Sequence, residues 1–143
     1  MSTQENKQLA RRAFEEVWNQ GKLEAIDEIY APNQVSYGLG MEVPPGAQGL
    51  KQFVSIYRAA YPDTHFTVED VIAEGDKVAV RWTATGTHRG ELMGIAPTGK
   101  RVTVTGIAIS RIENGKIAES WNNFDALGQL QQLGVIPAPG QSA

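Results

Sequence analysis

The side chains best suited to chemistry gather late in the chain. Asn114-Gly115 separates two apolar runs, and a two-residue loop of this type is a strong hairpin signal that fixes the pairing of its strands. Counting back from it, Ile112 opposes Ile117, Ala108 opposes Trp121, Gly106 opposes Asn123, and Val104 opposes Asp125. The small residues remove volume beside an indole, an amide and a carboxylate, which describes a hollow for a small molecule. Desolvation there raises a carboxyl pKa, so Asp125 can take a proton from a carbon acid, and Asn123 can donate to the oxygen that gains charge. Asp125 also directly precedes a helical stretch, where aspartate is a favoured N-cap and its pKa falls instead. Both roles stand at this point.

His88 ends a strand whose same-parity neighbours Trp82, Ala84 and Gly86 form the apolar face. It can orient a carbonyl or shuttle a proton, or simply bond the loop that follows. Trp82, Tyr37 and Tyr57 complete the candidate lining, each equally usable for packing. Other chemistries find little support. The chain has no cysteine, which removes thiol nucleophiles and thiolate metal sites. His65 and His88 lie far apart without carboxylates at ligand spacing, so no metal is expected. No phosphate-cradling glycine loop or Gly-x-Ser-x-Gly motif occurs. The expectation is a site without metal or cofactor.

The elements that must position these residues change period halfway along. Leu9, Ala13, Phe14, Val17 and Trp18 recur at helical spacing, and Gly21 suits a left-handed stop. Leu23, Ile26 and Ile29 form a second short stripe. Leu50, Phe53, Val54 and Tyr57 form a third, which Pro62 ends. Beyond it, Val78, Val80, Trp82 and Ala84 alternate with Ala79, Arg81, Thr83 and Thr85, as a two-faced strand does. In the preceding strand Phe66 and Val68 share one parity, Val71 and Ala73 the other, so a bulge is expected near Glu69-Asp70. Leu127, Leu130 and Leu133 suggest a closing helix before Gly134. Loops are expected at Gly38–Gly46 and Gly90–Gly99, both as candidates for the pocket mouth. Helices first and antiparallel strands afterwards indicate an α+β fold, one domain over residues 1–134 with a frayed tail over 135–143.

Composition narrows the partners. At 143 residues, 41% hydrophobic and 20% charged, the chain matches one globular domain. A net charge of −3 with interspersed signs, and no basic stripe beyond Arg11-Arg12 and Lys100-Arg101, argues against nucleic acid. The polar N-terminus and the lack of a long apolar run give no membrane association, and the cytoplasm is the expected location. The outer sheet face, read as Ile107, Ile109 and Phe124 with Thr105, Asn122 and Arg111, is too apolar to be left bare, so a homodimer through it is expected.

Several segments together carry a family resemblance. Val78-Ala-Val-Arg-Trp82, Gly86-Thr-His-Arg-Gly-Glu91, Pro97-Thr-Gly-Lys100, Asn114-Gly-Lys-Ile117 and the run from Trp121 to Gly134 resemble the SnoaL-like polyketide (ester) cyclases of the nuclear transport factor 2-like superfamily. The similarity spans about Lys7 to Gly134. It implies a conical barrel, a curved antiparallel sheet wrapped around N-terminal helices, usually as a homodimer. It also implies ring closure by intramolecular aldol condensation without metal or cofactor, with an aspartate near the end of the last strand as acid/base, matched by Asp125. His88 matches a histidine common in the Gly-Thr-His segment. The penultimate strand departs from the pattern: Thr105-Gly-Ile-Ala-Ile-Ser110 is largely apolar where the cyclases place polar side chains. Two functions follow: an acid/base cyclase or isomerase acting on a small apolar carbonyl compound, or a non-catalytic binder on the same scaffold.

Overall fold

A capping box starts the first helix: Ser2 Oγ accepts from the Glu5 backbone, and Glu5 Oε1 accepts from that of Ser2, both at 3.1 Å. In the computed structural model, which describes residues 2–137 and Gly140, α1 (Thr3–Arg12) runs on into a π-helical segment, Ala13–Asn19. Then follow α2 (Ala25–Ile29), β1 (Tyr30–Tyr37), α3 (Ala47–Ala60), β2 (His65–Glu74), β3 (Lys77–Thr87), β4 (Arg101–Glu113), β5 (Lys116–Phe124) and α4 (Ala126–Leu133). The sheet order is β1-β5-β4-β3-β2. All pairs are antiparallel except β1 with β5. Pro32 is tolerated because β1 is an edge strand, with one side of its ladder unused.

The inner sheet face carries Val78 and Val80 of β3 with Ile112 and Ile117, packed against Leu9, Ala13, Val17, Ile26, Leu50 and Val54 of the helices. A second cluster joins Ala60, Tyr61, Leu92, Val102, Val104 and Leu133 at the other end. The result is the expected α+β cone, helices on one face of a bent sheet. Two bulges bend it. Val68 opposes Trp82 while Asp70 opposes Arg81, leaving Glu69 as the extra residue where the parity switch in β2 required one. The frayed tail expected over 135–143 lies partly outside the described residues, at 138–139 and 141–143.

The second bulge corrects the hairpin register. Asn114 and Gly115 both take positive φ (52° and 76°), as the tight turn requires, and Ile112 opposes Ile117 as counted. Arg111, however, opposes Glu119, so Ala118 is looped out. From there on every β5 residue is offset by one: Ile109 faces Trp121, Ala108 faces Asn122, Ile107 faces Asn123 and Gly106 faces Phe124. A one-residue offset moves each side chain to the other face. Trp121 and Asn123 therefore join Ile107 and Ile109 outside, and Asn122 and Phe124 turn inside.

Candidate functional site

Between the two buried clusters lies a hollow of about 110 Å³. Its helical wall is Phe14 and Trp18 from the π segment and Phe53, Tyr57 and Tyr61 from α3 and its end. Its sheet wall is Phe66, Trp82, Ala84, Gly86, Val102, Val104, Asn122 and Phe124. The rings form a connected set: Trp18 to Phe66 and Phe66 to Trp82 are each 5.0 Å between centroids, and Trp18 meets Phe53 edge-on at 5.9 Å. None of the lining side chains is charged.

Polar anchors behind the wall hold this box. Asn19 copies a strand edge, donating Nδ2 to the Phe66 carbonyl at 2.9 Å and accepting from the Phe66 N–H at 2.7 Å. Arg58 donates to the Trp18 carbonyl. The widened π turn therefore ends on fixed partners that orient Trp18 and Phe66 toward the hollow, in keeping with the frequent use of such segments at functional sites.

Two phenols stand in the helical wall. Tyr57 and Tyr61, four residues apart, have their rings 6.4 Å apart and 27° from parallel. Burial pushes the Tyr57 hydroxyl up to about 12, with the neighbouring Tyr61 adding to the rise. Its oxygen is buried without a hydrogen-bond partner among the described residues. Burial also raises Tyr61, against an opposing contribution from Gln129. Gln129, buried on α4, donates Nε2 to the Tyr61 oxygen at 2.8 Å. Both phenols stay protonated at neutral pH, as donors rather than bases.

Of the residues singled out from sequence, Trp82 and Tyr57 line the hollow. Gly106 lies beneath Trp82: a Cβ there would stand 2.2 Å from indole Cζ2, so its missing side chain seats that ring. Trp121 and Asn123 belong outside, a correction that follows from Ala118, and Tyr37, paired with Trp121 on β1, is exposed as well. Tyr37 and Trp121 stack at 6.2 Å on the outer face, and the Tyr37 hydroxyl donates to Glu119. Asp125 is exposed and caps α4, Oδ1 accepting from Gly128 N–H at 2.9 Å. It is not among the lining side chains, in contrast to the dry hollow inferred from the uncorrected register.

His88 is fully buried but likewise outside the lining. Its Nδ1 accepts from Thr98 N–H at 3.2 Å, so the neutral ring carries its proton on Nε2, which has no partner among the described residues. The ring packs 5.6 Å from that of Tyr61. Leu39 of the first glycine-rich loop reaches the hollow, while no residue of Gly90–Gly99 does. No group of three or more metal-ligating side chains comes together, and no helix is long and apolar enough to cross a membrane, among the described residues.

Sequence reasoning missed Tyr61, Gln129, Asn122 and Phe124. The last two were hidden by the bulge. The first two gave a weak signal, since Tyr61 repeats Tyr57 at helical spacing.

Comparison with known proteins gives concordant matches. The family model for SnoaL-like polyketide cyclase matches residues 8–133. The aklanonic acid methyl ester cyclase DnrD of Streptomyces peucetius is 30% identical over 138 residues, 94% of this chain and 92% of that one. The nogalonic acid methyl ester cyclase of Streptomyces nogalater is 29% identical over 119 residues, 82% of this chain and 89% of that one. The structure of TsrD from Streptomyces laurentii superposes with a TM-score of 0.87 at 28% identity, covering 95% of this chain and 99% of that one.

Proposed function

The chain belongs to the SnoaL-like polyketide cyclase family, and from that premise we propose that it closes a ring within a small, mostly apolar carbonyl compound. The observation that carries this reading is the uncharged aromatic hollow with two tyrosines in its helical wall. A proton leaves the carbon beside a carbonyl, and the resulting enolate carbon bonds to a second carbonyl carbon of the same molecule. The new alkoxide then takes the proton back. The step is an isomerisation that needs no oxidant, reductant or cofactor.

Asp125 is the proposed proton carrier. It follows Phe124, a wall residue, and its cap bond engages Oδ1, so a substrate reacting there must extend from the hollow to an exposed carboxylate. His88 backs Tyr61 and holds the loop at Thr98, a positioning role. The methyl esters of nogalonic and aklanonic acid, named for the relatives, are the first compounds to test. Asp125→Asn keeps shape and removes basicity, and is expected to lower turnover about 10²-fold or more. Turnover within a few-fold of the parent removes Asp125 from the mechanism. The uncharged lining favours a second reading, binding without reaction. It predicts ligand affinity unchanged in Asp125→Asn and no product from either protein.

The outer face fits a second copy of the chain. Tyr37, Trp121, Ile109, Ala79 and Ile72 oppose one another in a single row across all five strands. Ile72 is 68% and Ile107 49% exposed. The pairs Asp70–Arg81 and Arg111–Glu119 flank the row with both signs of charge, which suits a self-complementary two-fold contact. Sedimentation should give a dimer that Ile109→Asp converts to monomer. A monomeric parent at micromolar concentration rules the contact out.

A further inference from the structure

The Tyr57 hydroxyl poses a physical problem. Its oxygen is buried and unpartnered among the described residues, although its residue belongs to the wall of the cavity. A buried hydroxyl without a partner is costly, and such a group in a native fold calls for an explanation. Tyr61, one helical turn on, has the complementary arrangement. Gln129 Nε2 donates to its oxygen at 2.8 Å, which occupies a lone pair and leaves the Tyr61 O–H free to donate elsewhere.

We propose that Tyr57 and Tyr61 donate hydrogen bonds to the carbonyl end of the bound compound and tighten them as that oxygen becomes an enolate, with Gln129 holding Tyr61 in donor orientation. This rests on the cavity being the substrate site and assigns its polar pole. Three features of the arrangement suit an oxyanion. The donors are neutral and stay protonated to high pH, the Tyr57 hydroxyl up to about 12. They are fixed before the ligand arrives, Tyr57 between Phe53 at 5.0 Å and Trp18 at 6.3 Å, so little reorganisation accompanies charge development. Their surroundings are apolar, which strengthens each bond to a charged oxygen.

The test uses two probes of the same outline, naphthalene and 2-naphthol, on the full chain. The 2-naphtholate oxygen mimics an enolate, and naphthalene reports the apolar box alone. Absorbance titration gives the affinity of each form and the apparent pKa of bound naphthol. Tyr57→Phe is expected to weaken naphtholate binding about tenfold or more, the effect of one hydrogen bond to a charged oxygen. It should raise the bound probe's pKa by a unit or more and leave naphthalene affinity within twofold. Tyr61→Phe and Gln129→Leu should act in the same direction. Replacing Tyr57 by 3-fluorotyrosine, a stronger donor of the same shape, should tighten naphtholate binding, a response that a packing role does not produce. Equal naphtholate affinity in the parent and Tyr57→Phe, with naphthalene still bound, overturns the proposal alone. A parent protein that binds neither probe overturns the cavity reading beneath it.

Discussion

Removing one hydroxyl from α3 should stabilise this protein, and removing its neighbour should not. In Tyr57→Phe the ring keeps its contacts with Phe53, Trp18 and Tyr61, and the only atom lost is an oxygen without a partner. The desolvation penalty of an unsatisfied buried polar group is about 1–3 kcal/mol. A gain at the low end of that range, about 1 kcal/mol, is expected. Tyr61→Phe deletes the acceptor of Gln129 Nε2 and strands a buried amide, at a cost of about 1–3 kcal/mol. For a domain this size 1 kcal/mol shifts the melting temperature by roughly 2–5 °C, so the two variants should move in opposite directions and be separable by urea titration and thermal melts. Alkaline stability gives a second readout. Between pH 10 and about 12 the folded Tyr57 keeps its proton while the unfolded chain, near its ordinary value of 10.0, loses it. The native state then binds more protons, and stability falls as pH rises through that window. Tyr57→Phe should flatten this decline in part, Tyr30 being likewise pushed up to about 12. A Tyr57→Phe variant that loses 1 kcal/mol or more would refute the reasoning, because the hydroxyl would then have a stabilising partner and would not be free for a ligand.

Gly106→Ala should drive the Trp82 indole from its seat, at about 1–3 kcal/mol for overpacking, with a shift in tryptophan emission and weaker binding of naphthalene. Unchanged emission would mean that the indole does not rest on that glycine. Deleting Ala118 removes the bulge but leaves Ile109 opposite Trp121 and Gly106 opposite Phe124 in a regular ladder. With that flank straightened, naphthalene binding should weaken while unfolding stays cooperative, and binding equal to the parent's would discredit the bulge as a source of the cavity's curvature. Asp63 accepts from Thr87 N–H and Oγ1 at 2.7 and 2.8 Å, which holds its carboxyl below its ordinary 3.8. That contribution is present above pH 3.8 and lost as pH falls through the lowered value. Asp63→Asn should lose stability at pH 7 and show a shallower acid limb in melts below pH 4, whereas an acid limb identical to the parent's would exclude this carboxylate as its source.

The fold was largely legible because its signals are periodic and locally consistent. Helical spacing marked Leu9 to Trp18 and Leu50 to Tyr57, alternation marked Val78 to Ala84, and the parity switch between Val68 and Val71 located the bulge at Glu69. The site was only half legible. Trp82 and Tyr57 were found because each belongs to a run whose period points one way. Trp121 and Asn123 were misplaced because Ile117-Ala118-Glu119-Ser120 contains no parity conflict sharp enough to reveal an extra residue: Ala118 is small enough for either face. Tyr61 and Gln129 meet across 68 residues of chain, a pairing that no local pattern encodes.

The two bulges also explain why a cavity exists at all. An extra residue in one strand bends it and increases its local twist. Glu69 on β2 and Ala118 on β5 lie on either side of the unbulged β3–β4 pair, so both flanks of the sheet curve while its centre stays regular. Without that curvature, a flat sheet would let α3 settle onto Val80 and Ala108, and the space now lined by Trp82, Val104 and Phe124 would fill with side chains. The hollow therefore depends on residue count as well as residue type. That Ala118 is looped out of the ladder instead of paired decides that Phe124 faces the hollow and Trp121 faces outward. Tyr57 and Tyr61 are placed differently, one helical turn apart in α3 and at its end, an element the bulges do not touch. The helical wall and the sheet wall of the hollow accordingly have separate origins, one in helical spacing and the other in strand register.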